Sequence, residues 1–282
     1  MKHPFVYLFA VLILLIGSGH PLELSAQTGE KAKQLHSKLN ALLENFDGDA
    51  GVYVLHLPSG MEVSIQADTV FPTASNVKIP IMVGLFDKIH RGEIGYRDEL
   101  TYRDSIAYGG SGLMQFFKDS VKTDVSVLAS LMITYSDNTT SLWCQELAGG
   151  GQRINEIMEA YGLAHTRVNS RTPGREDIWK VYGWGQTTPR ELSTLVARIR
   201  KGEIVSPAAS DRMYRLMKNI YYDQGAISQI PMEIATASKT GAVNAARSEV
   251  VLVNAPSGDY VFAIMTKNNK DQRWHPTTKH PY

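Results

Sequence analysis

Apolar residues recur at helical spacing in several stretches of the chain, separated by polar segments. Leu35, Leu39, Leu42 and Phe46 follow this spacing and predict an amphipathic helix over residues 30–46. Further helices are predicted over 75–89, 124–134, a segment ending near 147, 154–161, a segment starting at Pro189, and 207–220. Most of the middle of the chain is therefore expected to be helical.

Residues with strand propensity lie towards both ends of the chain. Two runs flank Pro58-Ser59-Gly60 and predict a hairpin, and three more strands are expected at 234–241, 248–253 and 260–265. The N-terminal strands must pair with the C-terminal ones to bury their apolar faces. We therefore predict an α+β fold, with a mostly antiparallel five-stranded sheet flanked by helices and an inserted all-helical subdomain.

The domain boundaries follow from this order of elements. The α/β part is expected to comprise residues 27–72 and 205–282, with the helical part at 73–204. Residues 1–26 resemble a secretory signal, because a short apolar run follows Lys2 and His3 and precedes a plausible cleavage site at Ala26. An uncleaved membrane anchor is the alternative. A secreted or periplasmic location is expected, with no membrane attachment after cleavage.

Composition narrows the possible partners. The 282-residue chain has 29 basic and 28 acidic residues and a net charge of +1, so a nucleic-acid partner is not expected. Its one cysteine, Cys144, lies in an apolar helical pattern and is predicted to be a buried small side chain. The eight histidines show no paired-ligand spacing, so neither a metal nor another cofactor is expected.

Ser75 and Lys78 are the first candidates for chemistry. They lie at the predicted start of a helix, where residues three apart share one face. A lysine in an apolar setting can lose its proton and act as the base for a neighbouring hydroxyl. This spacing also arises by chance on many helix surfaces, so the rest of the chain has to support it.

Two further triplets follow in the chain. Ser136-Asp137-Asn138 lies at a break between two predicted helices, and Lys239-Thr240-Gly241 lies on the first strand of the C-terminal group. In this order and context the chain resembles the penicillin-recognising serine hydrolases, and most closely the class A β-lactamases. The resemblance covers nearly all of the chain after residue 26 and includes Thr187-Thr188-Pro189 at a helix start.

The resemblance implies a role for each motif residue. Ser75 would be the nucleophile and become acylated, and Lys78 would take or relay its proton. Ser136 would pass a proton to the leaving nitrogen. Asn138 would bind a substrate amide and hold Lys78.

The strand motif would bind the substrate from the other side. Lys239 and Thr240 would bind a substrate carboxylate, and Gly241 would let the strand approach the ligand closely. The backbone N–H groups of Ser75 and Ala242 would form the oxyanion hole. The implied partner is a β-lactam or peptidoglycan-like small molecule, bound by a monomeric protein.

The segment before Pro189 departs from the family. Aligned without gaps, the position of the family's loop glutamate is occupied by Thr172, and the usual internal ion pair falls on Ser170 and Gly185. In one interpretation Glu176 supplies the missing base from a shifted loop and the enzyme turns over. In another no base is present, and the protein traps β-lactams, cleaves D-alanyl peptides or acts on another amide or ester. Glu176 is, alternatively, a solvated loop residue.

The C-terminal segment departs as well. The family expects a long helix after the last strand, whereas residues 273–282 are short and interrupted by prolines. We therefore expect the sheet face that this helix covers in the family to be packed differently.

Overall fold

The computed structural model describes residues 21–271, with side chains from residue 29 onward. The expected signal segment falls largely outside these residues, and the segment 273–282 lies outside them entirely. No helix within the described range is both long and apolar enough to cross a membrane.

A five-stranded antiparallel sheet combines strands from the two ends of the chain. The five strands are β1 (Asp49–His56), β2 (Glu62–Ile65), β8 (Thr236–Val243), β9 (Ala246–Val253) and β10 (Tyr260–Lys267). Their spatial order is β2-β1-β10-β9-β8, so strands from the N-terminal and C-terminal segments meet at the β1–β10 pair. The predicted fold class is confirmed.

Five short strands lie between the two groups, in small separate sheets. They are β3 (Phe71–Pro72), β4 (Glu99–Thr101), β5 (Lys122–Asp124), β6 (Arg167–Val168) and β7 (Gly185–Thr187). The order β3-β7-β6 joins the segment before Ser75 to both ends of the loop that precedes Pro189.

The helices of the described residues surround the sheet and fill the middle of the chain. They are α1 (Pro21–Leu43), α2 (Lys78–His90), α3 (Val125–Thr134), α4 (Asn138–Leu147), α5 (Gly150–Ala160), α6 (Glu176–Tyr182), α7 (Pro189–Arg200) and α8 (Pro207–Met217). Thr188 caps α7 as predicted, since its hydroxyl accepts a hydrogen bond from Glu191 N–H at 3.1 Å.

Helix α2 lies at the centre of the core. Every residue from Lys78 to Phe86 is buried, so this helix is enclosed on all sides. It packs against α3, α4, α5 and α8, while α7 packs against β1, β9 and β10. Because the first turn of α2 also follows directly on Ser75, the core holds the candidate nucleophile in place.

Several element boundaries differ from the sequence-based prediction. Helix α1 begins at Pro21 rather than near residue 30. Helix α5 begins at Gly150 rather than Ile154, because the left-handed Gly149 ends the preceding turn and the next two glycines open the new helix. The polar stretch before Pro189 contains the short helix α6, which no helical spacing in the sequence predicted.

The contact between α2 and α5 is testable at Gly84. A Cβ atom on Gly84 would lie 2.7 Å from Ile154 Cγ1 and 3.3 Å from Ala148 Cβ. Gly84→Ala should therefore destabilise the protein by about 1–3 kcal/mol, despite the higher helix propensity of alanine. Chemical denaturation measures this change.

Gly29, in the exposed α1 with no neighbouring atom within 4 Å, provides the matched control. Gly29→Ala should be neutral or slightly stabilising. Ile154→Ala, which removes the γ carbon that the new methyl group would meet, should cost less stability in the Gly84→Ala background than in the wild type, as expected for two residues in contact. Equal effects at Gly84 and Gly29 would contradict tight packing between α2 and α5.

Candidate active site

Ser75 lies in a 3₁₀ turn, Ala74–Val77, that leads directly into α2. With three residues per turn, side chains three apart lie above one another, and the Lys78 amine donates to Ser75 Oγ at 2.9 Å. Ala74, immediately before the serine, has a left-handed φ of 44°. A non-glycine residue in this region is strained, and such strain concentrates at functional sites.

The Lys78 amine is enclosed by polar partners from the break between α3 and α4. It donates to the Ser136 carbonyl at 2.6 Å, to Ser136 Oγ at 3.1 Å and to Asn138 Oδ1 at 2.9 Å. Burial lowers the pKa of Lys78 well below its usual value, and the nearby Lys239 lowers it further, while Asp137 opposes both. Lys78 is therefore able to hold a neutral amine beside Ser75.

Ser136 links the two buried lysines. Its hydroxyl oxygen accepts from Lys78 Nζ at 3.1 Å and from Lys239 Nζ at 3.0 Å. A hydroxyl oxygen has two lone pairs, so both amines can be accepted while the O–H proton stays available for donation. Ser136 also has a left-handed φ of 52°, the second strained residue of the site.

Burial also weakens the charge of Lys239. It lowers the pKa of Lys239 to about 7, although Glu249 acts in the opposite direction. The amine also donates to the Thr240 carbonyl at 2.8 Å. The charge that would attract a substrate carboxylate is therefore present below about pH 7 and is lost as the pH rises through that value.

Asp137 is a site residue whose role sequence reasoning missed. Its carboxylate accepts from Thr140 N–H at 2.8 Å, capping α4, and also from Leu113 N–H at 2.6 Å and Met114 N–H at 2.7 Å. It thereby fixes the 109–117 loop to the Ser136 turn. An aspartate before a predicted helix was the available signal for the cap, whereas the loop contacts depend on the tertiary fold.

Strand β8 brings its motif against the nucleophile. A Cβ on Gly241 would lie 2.5 Å from the Thr73 carbonyl oxygen and 2.9 Å from Ser75 N, so only glycine fits. Gly241 therefore allows strand β8 to lie close to the backbone around Ser75. Because β8 is the edge strand of the five-stranded sheet within the described residues, every second residue along it directs its backbone N–H and C=O groups away from β9.

Ser248 on the adjacent strand β9 fixes this arrangement. Its hydroxyl donates to the Thr73 carbonyl at 2.9 Å and accepts from Asn76 Nδ2 at 2.8 Å. These bonds tie β9 to the residues on either side of Ser75. The nucleophile is consequently held by the sheet as well as by α2.

The loop at 166–188 has no ion pair between the positions of the family pair. Gln145 on α4 instead donates to the Ser170 carbonyl at 2.6 Å and accepts from Ser170 Oγ at 3.0 Å. Thr172 is buried, and its hydroxyl donates to the Ser170 carbonyl at 3.0 Å and packs against Gly151 of α5.

Glu176 lies further along the same loop, at the start of α6. Its side chain is exposed, and the carboxylate accepts from Gly174 N–H at 3.2 Å. It also lines a cavity of about 650 Å³ together with Tyr108, Asn169 and Trp184. Among the described residues, Glu176 is thus not part of the hydrogen-bonded group around Lys78, and the cavity that it lines approaches this group through Trp184.

Trp184 forms a wall between the loop and the lysine. Its ring centroid lies 5.9 Å from Lys78 Nζ and 5.2 Å from the Tyr108 ring, which it meets edge to face. The sequence showed the aromatic residues in this loop but not which of them turns towards the site. Trp184 is placed by its backbone carbonyl, which accepts from Asn169 and Ser170 N–H.

Comparison with known proteins agrees with this geometry. The model of the β-lactamase enzyme family matches residues 34–279. The chain belongs to the β-lactamase enzyme family. The match includes the Ser75, Ser136 and Lys239 motifs, so this family member is a β-lactamase-like serine hydrolase.

Individual relatives have low sequence identity to this chain but match most of its length. A β-lactamase of Streptomyces fradiae is 24% identical over 222 residues, covering 75% of this chain and 70% of the relative. The structure of PBP-A is 30% identical, with a TM-score of 0.76 and coverage of 84% of this chain and 89% of that chain. A PBP-A variant solved as an acyl-enzyme complex with penicillin G is 29% identical, with a TM-score of 0.73 and coverage of 86% and 88%.

The lowered pKa values of the two lysines predict how acylation depends on pH. Above about pH 7 Lys239 loses its proton, so the attraction for a substrate carboxylate falls. The second-order rate constant for acylation by benzylpenicillin should therefore decline as pH rises through 7. Stopped-flow or mass-spectrometric labelling between about pH 5 and pH 9, in steps of about one pH unit, measures this rate constant as a function of pH.

An esterified β-lactam that lacks the free carboxylate is the control. Its acylation should show no decline above pH 7, because Lys239 has no anion to bind. Parallel profiles for the acid and the ester would contradict this role of Lys239.

Proposed function

We propose that the protein forms an acyl-enzyme at Ser75 with β-lactams and D-alanyl amides, and that β-lactam adducts are released slowly. The observation that carries this proposal is Thr172 at the family's glutamate position, with its hydroxyl bonded to Ser170 and packed against Gly151. The acyl-enzyme that a PBP-A variant forms with penicillin G adds support.

Acylation begins with proton transfer from Ser75 to Lys78. The neutral amine, 2.9 Å from Ser75 Oγ, accepts the hydroxyl proton while the oxygen attacks the substrate carbonyl. The N–H groups of Ser75 and Ala242 stabilise the oxygen that becomes negative. Asn138 keeps the amine in position through its Oδ1 contact at 2.9 Å.

Collapse of the tetrahedral intermediate requires a proton on the leaving nitrogen. Ser136 donates its hydroxyl proton as the C–N bond breaks and is reprotonated from Lys78, which returns to its neutral form. Lys239 and Thr240 bind the carboxylate of the leaving part. Every proton is accounted for by these groups, and the product is an ester at Ser75.

Deacylation requires a base that activates water. Thr172 has no basic group, and its hydroxyl is already used as a donor to Ser170. General-base catalysis contributes roughly 10²–10⁴-fold to such steps, so its loss gives a long-lived adduct. The protein would then act towards β-lactams as a penicillin-binding protein rather than an efficient β-lactamase.

A second candidate function is turnover of β-lactams with Glu176 as the base. Its support is that Glu176 borders the same cavity as Trp184, whose ring lies near Lys78. Movement of α6 would bring the carboxylate towards Ser75.

We also propose that the protein acts outside the cytoplasm as a monomer. The apolar run near the N-terminus supports export, and family membership is consistent with it. Fractionation of the native host and light scattering of the purified chain test these two points.

The acyl-enzyme can be tested by mass spectrometry and a chromogenic cephalosporin. We expect a stoichiometric adduct on Ser75 that Ser75→Ala abolishes, with little sustained turnover. Rapid turnover by the wild type would contradict slow deacylation, and absence of any adduct would contradict the acylation itself.

Replacing Thr172 tests the missing base directly. Thr172→Glu should accelerate loss of the adduct at least roughly tenfold, because it restores a carboxylate to the loop. Thr172→Gln is the matched control without a base and should leave the adduct stable. Glu176→Gln separates the second candidate, since it would abolish turnover only if Glu176 were the base.

A further inference from the structure

A second, smaller cavity opens beside the substrate-binding strand. Its volume is about 210 Å³, and Thr240 and Gly241 of β8 form part of its wall. The remaining wall includes Glu249 from β9 and Gln224 from the 218–235 segment. The cavity therefore adjoins the region where we propose that the carboxylate of the leaving group binds.

Glu249 brings a negative charge to this cavity. It pairs directly with Thr240 across the β8–β9 ladder, so the two side chains share one face of the sheet. It is 8% exposed, and its carboxylate accepts from Ala226 N–H at 2.9 Å and from Ser238 Oγ at 3.3 Å. A carboxylate offers about four lone-pair positions, so it has room for a further donor.

The basic groups nearby have other partners. Lys239 attracts Glu249 electrostatically, but its amine donates to Ser136 and to the Thr240 carbonyl. Arg247 also lines the cavity, but its Nη1 donates at 2.8 Å to the carbonyl of Asn244, in the turn between β8 and β9, and at 2.8 Å to the carbonyl of Ala246, the first residue of β9. Glu249 is thus the acidic group that lines this cavity.

We propose that this cavity accepts a positively charged side chain on the leaving group, with Glu249 as the residue that selects it. This inference rests on the proposed acylation of Ser75. The substrate class is an amide whose leaving amine belongs to an amino acid carrying both a carboxylate and a side-chain ammonium. Lys239 and Thr240 bind the carboxylate, and Glu249 binds the ammonium.

The geometry gives selection in both directions. An ammonium placed in a partly buried cavity forms a charge-assisted hydrogen bond to Glu249, which is stronger than a bond between neutral groups. A leaving group with an anionic side chain would be repelled by the same carboxylate. The chemical step is unchanged: the C–N bond breaks, Ser136 protonates the nitrogen, and the free amino acid departs.

A pair of matched peptides tests the inference. N-acetyl-D-alanyl-D-lysine and N-acetyl-D-alanyl-D-norleucine have the same terminal carboxylate and differ in the side-chain ammonium, so the contribution of Lys239 cancels. The second-order rate constant for release of the last residue is measured for each at pH 7. The wild type should prefer the lysine peptide roughly tenfold, as one charge-assisted bond gives.

Variants at two acidic positions locate the effect. Glu249→Gln should remove the preference, whereas Glu233→Gln, the same change at an exposed position, should retain it. Penicillin labelling of Ser75 is measured for every preparation, which tests the acylation separately. If the wild type is labelled by penicillin but shows no preference between the peptides, or releases the last residue of neither, the inference is overturned. The proposed acylation of Ser75 is not affected by either result.

Two other outcomes are decisive. A preference that survives Glu249→Gln in a variant that still labels with penicillin overturns the role of Glu249. If that variant does not fold, equal rates for the two peptides with the wild type remain sufficient to overturn the inference. Failure of labelling in the wild type would instead contradict the proposed function.

Discussion

The active site depends on the burial of two lysines that share one hydroxyl group. Lys78 and Lys239 are both fully buried, and both donate to Ser136 Oγ. Two positive charges in a low-dielectric interior repel each other and lose their hydration, so the neutral form of at least one is favoured. The chemistry proposed for Ser75 follows from this electrostatic constraint, and the surrounding fold keeps the two amines in place.

The fold supplies this arrangement by joining distant parts of the chain. Lys78 begins the central helix α2, Ser136 lies in the turn between α3 and α4, and Lys239 lies on β8. Ser248 adds bonds from β9 to the backbone around Ser75. Local strain at Ala74 and Ser136 is retained because contacts from the sheet and the helices oppose its relaxation.

Sequence reasoning reached the fold class and the motif residues because these depend on local periodicity and on the order of short motifs. Hydrogen bonds join five of the residues that it selected, Ser75, Lys78, Ser136, Asn138 and Lys239, whereas Glu176 lies outside this group. It missed what depends on tertiary contacts: the loop clamp of Asp137, the wall formed by Trp184, and Glu249 in its cavity. No local pattern distinguishes these residues from ordinary caps, loop aromatics or strand residues.

The position of Lys239 on an edge strand has a further consequence. Proteins commonly protect exposed strand edges against intermolecular pairing with prolines, bulges or inward-pointing charges. A proline or bulge in β8 would remove the backbone groups that face the cleft, whereas a lysine turned inward does not. Lys239 is, however, fully buried and only partly charged near neutral pH, so β8 keeps its backbone groups available to a ligand with little of this usual protection.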